Sequence, residues 1–129
     1  MPTVTVPESI TRIITVLTSH QYTASNEAKL QDAIAGVLSL HNVTYERERR
    51  IGKRNRVDFL VTVSCGRKVA LEVKVQGALS AVAMQLHRYA ESTEVNVVIL
   101  ATTLNRLTAL PDEMANKPVY AVRLPNGMF

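Results

Sequence analysis

The chain has 129 residues, close to half of them hydrophobic and a fifth charged, the balance of one ordinary globular domain. Cys65 is the only cysteine, which excludes an intrachain disulfide and a cysteine-based zinc site and points to a reducing, cytosolic setting. No apolar run approaches the ~20 residues of a membrane span, the opening MPTVTVPESI lacks the charged and apolar regions of a signal peptide, and no internal repeat or low-complexity run occurs.

Ile10, Ile13, Ile14 and Leu17 recur at helical spacing behind Pro7, so a first helix is expected over residues 7–19. A second should start near Ser25, a good N-cap residue, and run to about His41, with Leu30, Ile34, Val37 and Leu38 as its apolar stripe. Strands are expected at 43–50, 56–63 and 68–75, joined by Gly52-Lys53-Arg54-Asn55 and by Ser64-Cys65-Gly66. A third helix over 79–91 carries Leu79, Val82, Ala83, Leu86 and Ala90 on one stripe. The run VNVVILA at 95–101 is continuously apolar, as a buried strand requires. A short helical piece at 104–115 and a strand at 119–124 complete the chain. The fold class is α/β, with helices packed on a mixed central sheet.

Net charge is +4, from 15 Lys and Arg against 11 Asp and Glu, but its distribution is uneven. Between positions 47 and 56 the sequence RERRIGKRNR holds Arg47, Arg49, Arg50, Lys53, Arg54 and Arg56 against the single acid Glu48. Such a run suits a phosphate backbone, and equally a solvated hairpin. His20, His41 and His87 are far apart and match no ligand spacing.

Alternation puts Val57, Phe59, Val61 and Val63 on one face of the second strand, and Asp58, Leu60 and Thr62 on the other. In the third strand Val69, Leu71, Val73 and Val75 share a face, opposite Ala70, Glu72 and Lys74. A three-residue turn with Gly66 at the position needing positive φ pairs Val63 with Arg67, and therefore Asp58 with Glu72. Like charges opposite each other on a sheet destabilise it unless a cation cancels them. Carboxylate oxygens suit Mg2+ or Mn2+. Lys74, on the face of Glu72, can reach a phosphate bound beside such a cation. The competing reading is a structural salt-bridge cluster.

Asp58, thirteen intervening residues and then Glu72-Val73-Lys74 resemble the motif of the PD-(D/E)XK nuclease superfamily, with Val57 where that motif often has proline. The superfamily's restriction-endonuclease-like core, α-β-β-β-α-β, is similar to the order expected over residues 25–101. This resemblance implies a metal-dependent DNA endonuclease acting on double-stranded or branched DNA. Asp58, Glu72, the Val73 carbonyl and Glu27 would hold one or two Mg2+ or Mn2+ ions, and Lys74 would assist the chemistry. Glu27 lies on the stripe of Leu30 and Ile34, and matches a glutamate that Holliday-junction-resolvase-like members carry on the first core helix; an acid there is also favoured by the helix dipole. Gln85 and Tyr89 resemble a QxxxY element of exonuclease branches, in which the Gln supports the site and the Tyr contacts DNA or packs. The basic run and Arg88 would meet the DNA backbone. With no tryptophan and two phenylalanines, a single-strand stacking platform is disfavoured. Alternatives within the same fold are a junction resolvase acting as a homodimer, an exonuclease, and an inert DNA-binding domain. A compact nuclease of this kind suits a phage or mobile element.

Overall fold

The apolar spacing at the start of the chain folds as α1 (Val6–Thr18), which buries Ile10, Ile13, Val16 and Leu17. The computed structural model describes residues 6–24 and 26–126. The cap expected at Ser25 lies outside them. The residue that caps α2 (Glu27–Leu40) is Asn26, whose side chain accepts from the Lys29 N–H at 2.8 Å. Asparagine satisfies that orphan first-turn donor as well as serine would. At its other end α2 stops where Asn42 turns left-handed (φ 59°) and the Val43 N–H returns to the Leu38 carbonyl. The two helices pack together, and His20 and His41, distant in sequence, meet there with their Nε2 atoms 2.9 Å apart.

Three antiparallel strands follow: β1 (Thr44–Ile51), β2 (Asn55–Thr62) and β3 (Lys68–Lys74). Each end falls within a residue of expectation, because period-two burial and turn residues specify strands tightly. α3 (Leu79–Ala90) crosses from β3 to β4 (Val97–Thr102), which runs parallel to β3. β4 is buried along its whole length, the property its continuous apolar sequence demands. β6 (Lys117–Arg123) lies parallel to β4 on its far side.

The helical piece expected at 104–115 is largely absent. Only Asn105–Thr108 make a 3-10 turn, and Pro111, which lacks a backbone donor, stops any continuation. The chain then forms β5 (Glu113–Met114), antiparallel to β6. Ala115 and Asn116 make the two-residue connection, both left-handed at φ 48° and 65°, as a type I′ turn requires. Alanine is a poor signal for that conformation, so sequence reasoning missed the hairpin.

The protein is therefore mixed α/β, a six-stranded sheet in the order β1-β2-β3-β4-β6-β5 flanked by three helices. One core layer sets α1 and α2 against Phe59, Val61, Val69, Leu71, Val73 and Ile99. The other sets α3 against Leu60, Ala70, Val98 and Leu100. Val57 was expected beside Phe59 and packs instead in the layer of Leu60. The alternation of β2 breaks between Val57 and Phe59, at Asp58. Among the described residues no helix is long and apolar enough to cross a membrane.

Candidate functional site at the opening of the central hairpin

The turn between β2 and β3 sets the geometry. Gly66 takes φ 73°, and the Val63 N–H meets the Arg67 carbonyl at 2.9 Å, which is the register counted from the sequence. Pairs run from Thr62 opposite Lys68 to Phe59 opposite Leu71, and there the ladder ends. The next counted positions are Asp58 and Glu72, then Val57 and Val73. In place of ladder bonds the two acids reach across. Asp58 Oδ2 accepts from the Val73 N–H at 2.8 Å, and Glu72 Oε1 accepts from the Asp58 N–H at 3.2 Å. A strand residue points its N–H and C=O to the same neighbour, so the Val73 carbonyl also faces this opening.

Glu72 is buried, at 3 % exposure. α3 supplies its further partners. Gln85 Nε2 donates to Glu72 Oε2 at 3.1 Å and to the Tyr89 hydroxyl at 2.8 Å. That hydroxyl lies 3.2 Å from Glu72 Oε1 and 3.0 Å from the Arg56 carbonyl, so its one proton has two acceptors in reach. Lys74 Nζ stands 3.6 Å from Glu72 Oε2. Side chains three and four residues apart share a helix face, which is how Gln85 and Tyr89 act on one carboxylate.

Burial pushes the pKa of both acids well above the carboxylate range, and their mutual repulsion adds to this at Glu72. At Asp58 the Val73 N–H opposes the shift, while the nearby charges of Glu27 and Glu48 reinforce it. Burial, then the charge of Glu72, likewise raises the Tyr89 phenol. The arrangement thus holds two acids together against their own electrostatics, the condition an added cation relieves.

Six of the expected residues come together here. Asp58, Glu72, Val73, Lys74, Gln85 and Tyr89 form one connected cluster. Glu27 stands beside it, but its Oε1 turns to the Val75 N–H at 3.4 Å rather than to the two acids. Tyr89, expected to contact DNA or to pack, is buried at 1 % exposure and packs with its hydroxyl in the cluster. Among the described residues no three His, Cys, Asp or Glu side chains are drawn into a complete metal-ligand set. The donors at the opening are nonetheless all oxygen, two of them on mutually repelling carboxylates, and this chemistry fits a hard divalent cation.

The basic run is more neutralised than its sequence suggests. Arg47 pairs with Asp32 at 3.0 Å and lies over the Phe59 ring; Arg49 pairs with Glu46 at 2.9 Å and Glu94 at 3.4 Å; Arg56 pairs with Glu48 at 3.5 Å. Arg50, Lys53, Arg54 and Arg88 are exposed. Sequence reasoning missed Glu48. Ile51 lies opposite Asn55, and counting back from that pair sets Glu48 opposite Asp58; the β1–β2 ladder skips this one position. Glu48 is left-handed there, at φ 51°, which no sequence pattern signals. A non-glycine residue in that conformation costs roughly 1–2 kcal/mol.

Fold and site together define a mixed α/β protein with a carboxylate pair, Glu72 buried and Asp58 partly so, where its central hairpin opens. The chain belongs to the family described as Domain of unknown function (DUF8371), whose model matches residues 9–104. That span runs from within α1 through β4 and holds the whole cluster. No curated protein and no solved structure matches the chain.

Proposed function

We propose that this chain is a divalent-cation-dependent deoxyribonuclease of the PD-(D/E)XK type, hydrolysing phosphodiesters in duplex or branched DNA. One observation carries the reading: Asp58 and Glu72, both with raised pKa, lock into each other's strands where the ladder ends, with the Lys74 ammonium beside them. The element order from α2 to β4, α-β-β-β-α-β, supports the restriction-endonuclease-like comparison.

Asp58, Glu72 and the Val73 carbonyl would hold Mg2+ or Mn2+, with Glu27, whose charge acts on Asp58, as the further ligand the resemblance suggests. A cation held there supplies polarisation of the phosphate and makes water a better nucleophile near neutral pH. The chain's own groups do the rest. Lys74 stabilises negative charge that develops on the phosphate. Gln85 and Tyr89 fix the orientation of Glu72, so the site is set before substrate arrives. Exposed Arg50, Lys53, Arg54 and Arg88 offer charge to the DNA backbone.

A second reading has its own support. Glu72 is surrounded by donors, as an acid in a purely structural cluster on an inert DNA-binding domain would be. Purified protein incubated with Mg2+ or Mn2+ and linear, supercoiled, single-stranded, flapped and four-way-junction DNAs separates the two. Cleavage by wild type, lost in both Asp58→Asn and Lys74→Ala while DNA binding survives, is the expected result. Wild-type-like cleavage by both variants would overturn the assignment, and binding without cleavage by wild type would favour the inert domain.

A further inference from the structure

A cleft of about 450 Å³ lies between the tip of the β1–β2 hairpin and the end of α3. Its size is in the range of small-ligand sites. Gly52, Arg54 and Asn55 line it from the hairpin, and Arg88, Glu91 and Glu94 from α3 and the turn that follows. Arg54 and Arg88 therefore face one space from opposite walls. Both are exposed, and among the described residues neither guanidinium has an ion pair or a hydrogen bond.

The two acids of the cleft are turned to other groups. Glu91 Oε1 lies 3.5 Å from His87 Nδ1, one turn back on the helix. Glu94 Oε2 accepts from the Gly52 N–H at 3.0 Å, and its Oε1 lies 3.4 Å from Arg49 Nη2. Glu94 thus ties the hairpin to the turn after α3 and fixes the two walls to each other. Against these two carboxylates stand the guanidiniums of Arg49, Arg54 and Arg88, which leaves one positive charge in excess. A guanidinium carries its donors in a planar fork that matches the oxygens of a phosphate. Two such forks without partners, across a cleft whose acids are engaged elsewhere, call for an oxyanion between them.

We propose that this cleft is a phosphate seat, gripped by Arg54 and Arg88 together, and that it takes a backbone phosphate of DNA. The nucleic-acid source rests on the nuclease reading above, whereas the seat rests on the cleft and its two arginines. Position supports the source. Asn55 stands three residues before Asp58 in β2, roughly 10 Å along a strand. Arg88 directly precedes Tyr89, whose hydroxyl touches Glu72. The seat and the carboxylate opening thus share β2 and α3 as their supports. A strand gripped at the seat has its position along its own length fixed, so one particular phosphodiester is presented at the opening.

The test is made without divalent cation, on wild type, Arg54→Gln, Arg88→Gln, the double variant and Lys53→Gln, each first checked for folding by circular dichroism. Amide nuclear magnetic resonance spectra are followed during titration with inorganic phosphate, and the affinity for a labelled short duplex is read by fluorescence anisotropy. Phosphate should move the amide signals of Gly52, Asn55 and Thr93 in wild type and leave them in place in the double variant. Each single arginine variant should lose about tenfold in duplex affinity, the scale of a hydrogen bond to a charged group. The double variant should lose less than the product of the two, because both arginines hold the same phosphate. Lys53→Gln removes the same charge from the same loop, but outside the cleft, and should cost less than either. If phosphate moves none of these signals, or if the two losses simply multiply and Lys53→Gln costs as much, the seat is refuted. If phosphate moves them but duplex affinity is the same in all variants, the seat takes free phosphate and its nucleic-acid source is refuted. Cleavage by wild type with Mg2+ is read separately, so an active enzyme with a silent cleft overturns this inference and leaves the nuclease reading standing.

Discussion

The partners of the Glu72 carboxylate are the Asp58 N–H, the Gln85 amide and the Tyr89 hydroxyl, with the Lys74 ammonium nearby, so the surroundings are built for a negative charge. Burial and Asp58 oppose that charge and push the pKa up. The consequence for stability has a definite sign. An acid with a raised pKa binds its proton more tightly when folded than when unfolded, so its contribution is present at low pH and is lost as pH rises. The window runs from the ordinary carboxylate range near 4 up to about 6 for Asp58 and about 8 for Glu72. Cation-free protein should lose roughly 3–8 °C of thermal midpoint between pH 5 and pH 8. Asp58→Asn should flatten that slope, and Mg2+ should raise the midpoint at pH 8 far more than at pH 5. Scanning calorimetry with and without the ion decides it, and a midpoint that rises steadily with pH would contradict the assignment. At this scale the sequence revealed the pair, since Asp58 and Glu72-Val73-Lys74 needed only strand alternation and a turn length. The bonds that the Tyr89 hydroxyl makes to Glu72 and to the Arg56 carbonyl were not legible, because such contacts are a matter of packing rather than of local pattern.

The hairpin of β2 and β3 is the element that makes the site. Its register depends on Gly66 at φ 73°, and no atom lies within 4 Å of where a Cβ would be added. Gly66→Ala therefore meets no clash and carries only the backbone strain, roughly 1–2 kcal/mol. Denaturant unfolding should show that loss with an unchanged slope, whereas a loss several times larger would mean that the turn itself had rearranged. The strands were readable because valine-rich alternation and turn residues agree at each end. β4 was readable from its unbroken apolar run. The break of alternation at Val57 was not, since it follows from acids replacing ladder bonds, a tertiary choice that overrides the period-two rule. The β5–β6 hairpin hid behind Ala115, a residue that pattern reasoning does not place at positive φ.

Across the whole molecule, charge is distributed differently from the linear sequence. Asp32 from α2, Glu94 from beyond α3, and Glu46 and Glu48 from β1 itself are set among the arginines of the first hairpin. Exposed pairs of this kind add little stability, but they lower the field a polyanion meets. On the nuclease reading, Arg50, Lys53 and Arg54 carry most of the attraction. Replacing all three by alanine should weaken duplex binding and reduce the slope of log K against log salt by up to ~0.9 for each phosphate no longer neutralised. An unchanged slope in a fluorescence-anisotropy titration would place the DNA on another surface. Sequence alone exposed the basic run but not its neutralisation, because the acids that pair with Arg47 and Arg49 include residues far along the chain.

β1 is an outer strand, eight residues long, with no strand beyond it among the described residues. An open edge of that length invites strands from neighbouring molecules and so invites aggregation. Glu48 interrupts it near the middle, where the left-handed backbone spoils the flat row of donors and acceptors that a foreign strand would need. The charged sequence around it, Glu46 to Arg50, adds repulsion along the same edge. The irregularity at Glu48, which falls opposite Asp58 by count, therefore also guards the sheet's exposed margin.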